Sequence, residues 1–217
     1  MKNTSVDDDL SVIANKAKGY LSSAEILNCE YRSMSTVFAS GQMYATVEDL
    51  YQWNKSMNTD KLLSDKYRSL MFTPNLNDYG YGWYIIELQL SEKKQVKCAW
   101  HTGGLNGFNS IILRDMKAGY FIRILANAEP TDVEAISKSV LQILYGLPCQ
   151  QPKRKIANVM TKTIAEQGIE RALLQYQHLK STAFHQYEFH EGTLIALSDY
   201  YRMKNKMDVE LSPTLSS

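Results

Sequence analysis

The sequence predicts an α+β fold in which an antiparallel β-sheet packs against helices and an α-helical appendage follows at the C-terminal end. After Gly80 the period of the apolar residues changes from 3.6 to 2, which indicates strands over Tyr81–Leu90 and Val96–His101. Beyond residue 155 the helical period returns. A chain of 217 residues is long enough to bury its own core and to form one or two domains.

Three helices are predicted from N-cap signals and from apolar residues at helical spacing. Thr46, with Asp49 three residues later, resembles a capping box and opens a helix over Thr46–Met57. Ser64 is a second candidate N-cap, and its helix ends before the next proline. A proline followed by Thr-x-x-Glu predicts a third helix over Thr131–Tyr145, which we expect to cover one face of the sheet.

Four antiparallel strands are predicted between the second and the third of these helices. The polar residues Ser91–Lys94 separate two alternating segments, as the turn of a hairpin does. Asp115–Gly119 separates a second pair of strands in the same way. The predicted strands are Tyr81–Leu90, Val96–His101, Ile111–Leu113 and Tyr120–Leu125.

A domain boundary is predicted over residues 148–155, where two prolines, polar residues and a short basic run follow one another. Residues 1–147 then form the sheet-containing domain, and residues 156–211 form the helical appendage. The spacing of Leu194, Leu197, Ser198 and Tyr201 weakly resembles the start of a tetratricopeptide repeat, of which one copy is present.

Composition and charge exclude several classes of function. The 24 Lys+Arg and 23 Asp+Glu residues give a net charge of +1, so we expect no nucleic acid partner. No apolar run reaches the roughly 18 residues of a membrane span, and the first residues lack the pattern of a signal peptide. Cys29, Cys98 and Cys149 lack a zinc spacing, and Asp7–Asp9 lacks the rest of a calcium loop. We therefore predict no metal site and no cofactor. The histidines expected at the surface are His178, His185 and His190.

A glycine-rich segment is the most informative part of the sequence. Trp100–Ser110 reads Trp-His-Thr-Gly-Gly-Leu-Asn-Gly-Phe-Asn-Ser, and taken alone it fits a simple strand connection. Three other segments accompany it in a fixed order, namely Ser40–Leu50, Tyr79–Trp83 and Ile124–Asn127. Together the four segments resemble the motifs of the serine β-lactamase and penicillin-binding-protein-like hydrolases of the class C type, over about residues 1–147.

The resemblance implies both a fold and an activity. It implies the C-terminal portion of the β-lactamase/transpeptidase-like fold, because Met1–Thr4 is similar to a segment from the middle of the family's domain. We therefore expect the chain to begin within that domain. Such hydrolases act on D-alanyl peptides, β-lactams or small esters through an acyl-enzyme. A small-molecule or peptidoglycan-like substrate, and a location in the cell envelope, are expected of the complete protein.

The resemblance also implies roles for four consecutive residues. His101 takes the place of a polar or cationic group near the substrate carboxylate and the proton network of the nucleophile. Thr102 would offer its hydroxyl to the substrate, and Gly103 would let the substrate backbone lie against the strand. Gly104 would supply one backbone N–H of the oxyanion hole, a donor whose loss typically costs about 3 kcal/mol of transition-state stabilisation.

The nucleophile of such a site is not found in the sequence. The family needs Ser-x-x-Lys and then Tyr-x-Asn or Ser-x-Asn, both upstream of the histidine. Ser91–Lys94 matches the first pattern but lies in a predicted charged turn, and Ser56–Asn58 precedes it, which reverses the order. We therefore expect the chain to be inactive alone.

The competing interpretation is a non-catalytic binding or interaction protein that uses the retained sheet and the helical tail. If the two leading strands of the family are missing, the sheet edge that they would pair is expected to promote self-association. A monomer that closes its own sheet would favour the binding module.

Overall fold

A computed structural model describes residues 1–8, 10–22, 26–129, 131–149, 153–189, 194–195, 197–198 and 201–202. The chain divides into two compact units. The first consists of Met1–Leu21 and Asn28–Gln151, and the second of Ser22–Leu27 and Pro152–Ser217. Parts of five predictions lie outside the described residues, namely those on Asp9, Pro130, the linker at 150–152, His190, and the appendage at 190–193, 196, 199–200 and 203–211.

The secondary structure combines one central sheet, several two-residue or three-residue strands and a set of helices. The strands are β1 (Ser5–Val6), β2 (Tyr20–Ser22), β3 (Ile26–Asn28), β4 (Met43–Tyr44), β5 (Tyr84–Ser91), β6 (Lys94–Leu105), β7 (Phe108–Asp115), β8 (Phe121–Ala126), β9 (Arg154–Lys155) and β10 (Tyr187–Glu188). The helices are α1 (Val47–Met57), α2 (Asp65–Met71), α3 (Val133–Leu144), α4 (Ile156–Gln167) and α5 (Ile169–Thr182), and a short 3₁₀ helix covers Met34–Val37.

The central sheet consists of β5, β6, β7 and β8, each antiparallel to the next. These are the four predicted strands, and together with the helices they confirm the α+β class. β5 begins at Tyr84 rather than at the predicted Tyr81. The chain bends just before it at Gly82, whose φ is +80°, a conformation that favours glycine.

The side chains of the sheet alternate between two apolar layers. On one face, Cys98 and Leu113 pack with Leu141 of α3. On the other face lies Trp83, whose ring stacks on that of Trp53 from α1 with 5.8 Å between the centroids. Burial, reinforced by nearby carboxylates, raises the pKa of the Cys98 thiol to about 12. Because Leu141 of α3 packs against Cys98 and Leu113, the predicted cover of one sheet face by the third helix is confirmed.

The start of α1 differs from a simple capping box. Thr46 caps the helix, and its Oγ1 accepts a hydrogen bond from the Asp49 backbone N at 3.3 Å. The Asp49 carboxylate accepts hydrogen bonds from the N-terminal segment, namely from the backbone N of Lys2 (3.1 Å), the backbone N of Asn3 (2.6 Å) and the hydroxyl of Thr4 (2.9 Å). Burial alone would raise the pKa of Asp49, but these hydrogen bonds hold it below its ordinary value. Asp49 thus ties residues 2–4 to α1.

The start of α3 corrects the predicted boundary at Thr131. The helix begins at Val133, and its N-cap is Asp132, whose carboxylate accepts a hydrogen bond from the Ala135 backbone N at 2.9 Å. A carboxylate at this position satisfies a free N–H and also interacts favourably with the helix dipole. Asp132 therefore takes the capping position that the sequence pattern gave to Thr131.

The second unit contains α4 and α5, which are separated by Gly168 with a φ of +86°. Ile156 and Ala172 are fully buried in its core, and Leu197 and Tyr201 of the repeat-like spacing pack in the same cluster. The prediction of a purely helical appendage is wrong in one respect, because β9 and β10 form a parallel pair. β9 falls inside the predicted linker, and two residues are too few for alternation to reveal a strand.

The turn between β7 and β8 is organised by Asp115, which is only 2% exposed. Its carboxylate accepts hydrogen bonds from the backbone N of Lys117 and Ala118, at 2.8 and 2.7 Å, and from the hydroxyl of Tyr145 at the end of α3. Burial alone would raise the pKa of Asp115, but these hydrogen bonds and the charge of Lys94 outweigh it and hold the pKa below its ordinary value. Ionised Asp115 therefore joins the sheet to α3.

We expect Asp115→Asn to lower the free energy of unfolding by about 1 to 2 kcal/mol at neutral pH, because an amide accepts these hydrogen bonds more weakly than a carboxylate. A carboxylate whose pKa is lowered by folding stabilises the protein above its ordinary pKa. That contribution is lost as the pH falls through the lowered value. Urea denaturation should therefore show a constant difference between wild type and variant from about pH 7 to about pH 5, and a difference that shrinks as the pH falls further to about pH 3. A difference that stays constant below about pH 5 as well would contradict the assignment.

Candidate active site

The four residues singled out in the sequence, His101–Gly104, lie in the outer half of β6. β5 accompanies β6 only as far as the pair Tyr84 and Trp100. Beyond that point β6 pairs with β7 alone, as Gly103 does with Ser110. Among the described residues no strand pairs with the other side of β6 at this position. The motif therefore lies at an open edge of the sheet.

Asn106 and Gly107 form the two-residue turn that joins β6 to β7. Their φ angles are +51° and +79°, as a type I′ turn requires, and Asn-Gly is a favoured pair for such turns. Gly19 packs directly against this turn, since a Cβ at Gly19 would lie 1.9 Å from the Asn106 carbonyl oxygen. The backbone N of Tyr20 donates to the Gly107 carbonyl at 3.3 Å. This contact was not predicted, because the first forty residues carry little periodicity.

The register of this hairpin fixes the direction of the main-chain groups of β6. A two-residue turn makes its flanking residues, Leu105 and Phe108, a hydrogen-bonded pair, and such pairs alternate along an antiparallel ladder. The odd-numbered residues of β6 therefore turn their N–H groups towards β7. In the turn between β7 and β8, the backbone N of Met116 donates to the Lys97 carbonyl at 3.0 Å. This bond agrees with the alternation, because Lys97 is an odd-numbered residue that faces β7. Thr102 and Gly104 consequently turn their N–H groups to the open edge.

The imidazole of His101 is hydrogen-bonded on both sides. Its Nδ1 lies 2.6 Å from the carbonyl oxygen of Thr102, and its Nε2 lies 3.0 Å from the hydroxyl of Tyr79. The rings of Tyr79 and Tyr84 flank it, each with its centroid 5.9 Å from the imidazole centroid. Tyr79 belongs to one of the recognised motifs, but no role was assigned to it, because the contact joins residues 22 positions apart.

The two glycines of the motif differ in their surroundings. A Cβ at Gly103 would lie 2.9 Å from the Oγ of Ser110, which donates a hydrogen bond to the Gly103 carbonyl at 3.2 Å. A Cβ at Gly104 would meet no atom within 4 Å. Packing within the chain therefore favours glycine at position 103 and places no such demand on position 104.

An open cleft of about 330 Å³ borders Gly104. It lies entirely within the first unit, and the charged residues Glu30, Arg32 and Glu129 contribute to its lining. Sequence reasoning missed these three residues. They lie outside every recognised motif, and no periodic pattern links them to the end of β6.

The serines considered as nucleophiles are engaged elsewhere. Ser91 pairs with Lys94 at the start of β6, and Lys94 is seven residues from His101, roughly 23 Å along an extended strand. Ser56 lies in α1, where its hydroxyl donates to the Gln52 carbonyl at 3.0 Å. Ser91 is therefore too far from the motif to act with it, and the Ser56 hydroxyl is bonded within its own helix.

Two other features, a metal centre and a membrane-spanning helix, would each imply a different kind of function. Within the described ranges, no group of three or more His, Cys, Asp or Glu side chains could hold a metal ion. In those same ranges, no helix is long and apolar enough to cross a membrane. His178 and His185 are exposed on the second unit.

The two glycines should respond differently to alanine. We expect Gly104→Ala to leave the free energy of unfolding unchanged or to raise it by about 0.5 to 1 kcal/mol, because alanine loses less backbone entropy on folding. Gly103→Ala should lower it by about 1 kcal/mol, because the methyl group displaces the Ser110 hydroxyl from its hydrogen bond. Chemical denaturation measures both. In a Ser110→Ala background the change at position 103 should cost less, and an equal cost in both backgrounds would rule out the contact.

Comparison with known proteins bears on the first unit. A model of the family described as Beta-lactamase matches residues 1–146, about two thirds of the chain. No match was found among curated proteins. The matched region contains the whole central sheet, α3 and the His101–Gly104 motif. The chain therefore belongs to the Beta-lactamase family.

Proposed function

We propose that the open edge of β6 at His101–Gly104 is one wall of a serine-hydrolase-type acyl-transfer site. The proposal rests on one observation above all: the Gly104 N–H points to an unpaired strand edge, at a residue where nothing within the chain fills the space of a Cβ. A backbone N–H aimed at a reacting carbonyl stabilises the negative charge that develops on its oxygen. Family membership supports hydrolase chemistry on a small-molecule substrate.

The strand supports the proposed roles of the neighbouring residues. Successive side chains of a strand point to opposite faces, so His101 and Thr102 approach the edge from opposite sides. A ligand lying along the edge would meet the Gly104 N–H between them. In this proposal Thr102 offers its hydroxyl from one face, and the His101 ring closes the other face. Gly103 leaves room for the Ser110 hydroxyl, which bonds to its carbonyl.

The cleft beside Gly104 narrows the proposed substrate class. Arg32 supplies a positive charge there, which suits the carboxylate of a D-alanyl peptide or of a β-lactam. Glu30 and Glu129 supply negative charges that suit an amine. A peptidoglycan-like peptide carries both kinds of group. We therefore favour this substrate class over a simple ester.

The chain is proposed to hold its substrate without turning it over. Its one Ser-x-x-Lys sequence, Ser91–Lys94, lies at the opposite end of β6 from the motif. Two forms of this function remain: the C-terminal portion of an acyl-enzyme hydrolase, and a non-catalytic binding protein on the same scaffold. Self-association through the outer edge of β8, which pairs only with β7 among the described strands, stays a prediction.

Turnover and binding can be tested separately. The chain should hydrolyse nitrocefin and p-nitrophenyl acetate no faster than a heat-treated sample does. In a ¹H–¹⁵N NMR titration, N-acetyl-D-alanyl-D-alanine should shift the amide signals of Thr102 and Gly104. We expect Gly104→Val to weaken this binding at least about tenfold, because its two methyl groups would occupy the face of the strand beside the Gly104 N–H, where the ligand would lie.

A matched control is available on the same strand. Lys97→Val introduces the same side chain at an exposed position in the half of β6 that β5 covers, so it should leave the titration unchanged. Turnover that disappears in Ser91→Ala would show that the loop serine is a nucleophile after all. Signals of Thr102 and Gly104 that stay in place at saturating peptide would contradict the proposed binding edge.

A further inference from the structure

His101 has a fixed protonation pattern in this structure. The Thr102 carbonyl, 2.6 Å from Nδ1, can only accept a hydrogen bond, so Nδ1 carries a hydrogen. In the neutral imidazole Nε2 then has no hydrogen and accepts one from the Tyr79 hydroxyl at 3.0 Å. Neither ring nitrogen is left to contact a ligand directly. The Tyr79 phenol is therefore the group that determines how Nε2 is hydrogen-bonded.

Tyr79 is held in place by its own turn before any ligand arrives. Its backbone N donates to the Leu76 carbonyl at 3.1 Å, and its carbonyl accepts from the Asn75 backbone N at 3.0 Å. The next residue, Gly80, is packed so closely that a Cβ would lie 2.3 Å from the Met71 carbonyl oxygen. The Tyr79 ring also meets that of Tyr84 edge-on, with 4.6 Å between centroids. The phenol is thus restrained both through its backbone and through its ring.

We propose that Tyr79 is a positioning residue that keeps Nε2 of His101 unprotonated and accepting a hydrogen bond, so that the ring presents its protonated Nδ1 to the Thr102 carbonyl. This role goes beyond the proposed function of the edge, because it rests on the geometry of His101 and Tyr79 alone.

The neighbouring tyrosine offers a matched control. Tyr81 belongs to the same turn, two residues from Tyr79, and its side chain is 68% exposed. Tyr79→Phe and Tyr81→Phe each remove one hydroxyl and keep the ring. The first variant should change the surroundings of His101, and the second should not. If the Tyr79 ring served only to pack, both variants would keep that role, and the surroundings of His101 would be the same in both.

The experiment is long-range ¹H–¹⁵N NMR of the imidazoles in the free chain, at a mildly alkaline pH where histidines are ordinarily neutral. A His101→Gln sample identifies the His101 signals by their loss. Wild type should show a protonated Nδ1 and an unprotonated Nε2. In Tyr79→Phe the Nε2 signal should move downfield, towards that of a pyridine-type nitrogen without a hydrogen bond, whereas Tyr81→Phe should match wild type.

Two results would overturn the positioning role: a protonated Nε2 in wild type, or an Nε2 signal that is identical in wild type and Tyr79→Phe. The backbone amide spectrum of β6 in each variant shows whether the strand is intact. If Tyr79→Phe does not fold, the wild-type spectrum alone still tests the proposal, because it shows whether Nε2 of His101 is protonated. Because no ligand is present, this outcome is independent of whether the edge binds N-acetyl-D-alanyl-D-alanine.

Discussion

The Asn106–Gly107 turn sets the register between β6 and β7, and every feature of the candidate site depends on that register. With two residues in the turn, the N–H groups of Thr102 and Gly104 point away from β7. A turn longer by one residue would slip the pairing and exchange the groups that face the open edge. Gly19 packs against the turn at a distance that excludes any side chain. The N-terminal segment therefore helps to hold the strand that carries the site.

The open edge and the Tyr79–His101 pair both follow from the point at which β5 begins. β5 begins at Tyr84, which pairs with Trp100, so the residues of β6 after Trp100 have no partner strand on that side within the described part of the chain. The chain before β5 then folds back as a tight turn, and this turn brings the Tyr79 hydroxyl to His101. The same local change thus provides both an exposed backbone donor and a restrained Tyr79–His101 pair. Their proposed roles differ, since the donor would bind a carbonyl oxygen, whereas Tyr79 would hold the protonation pattern of His101.

Features with a local physical cause could be predicted from the sequence, and features that join distant segments could not. Alternation predicted the four strands of the sheet, and Thr46 was found as the cap of α1 because capping acts within one turn of helix. The bonds from Asp49 to residues 2–4 and the contact of Gly19 with the turn span more than 40 residues each, and no spacing in the sequence encodes them. Motif resemblance placed His101 and Gly104 on the site strand. It did not reveal the Tyr79 contact or the cleft beside Gly104.

Hydrogen exchange of the β6 amides tests the central claim, an open edge with a defined register, most directly. The N–H groups of His101, Gly103 and Leu105 face β7 and should exchange slowly. Those of Thr102 and Gly104 face the open edge and should exchange at least about tenfold faster. In the half of β6 that lies between β5 and β7, both sets of amides should be slow. Equal protection of Gly103 and Gly104 would contradict the register, and slow exchange at both would show that the edge is covered.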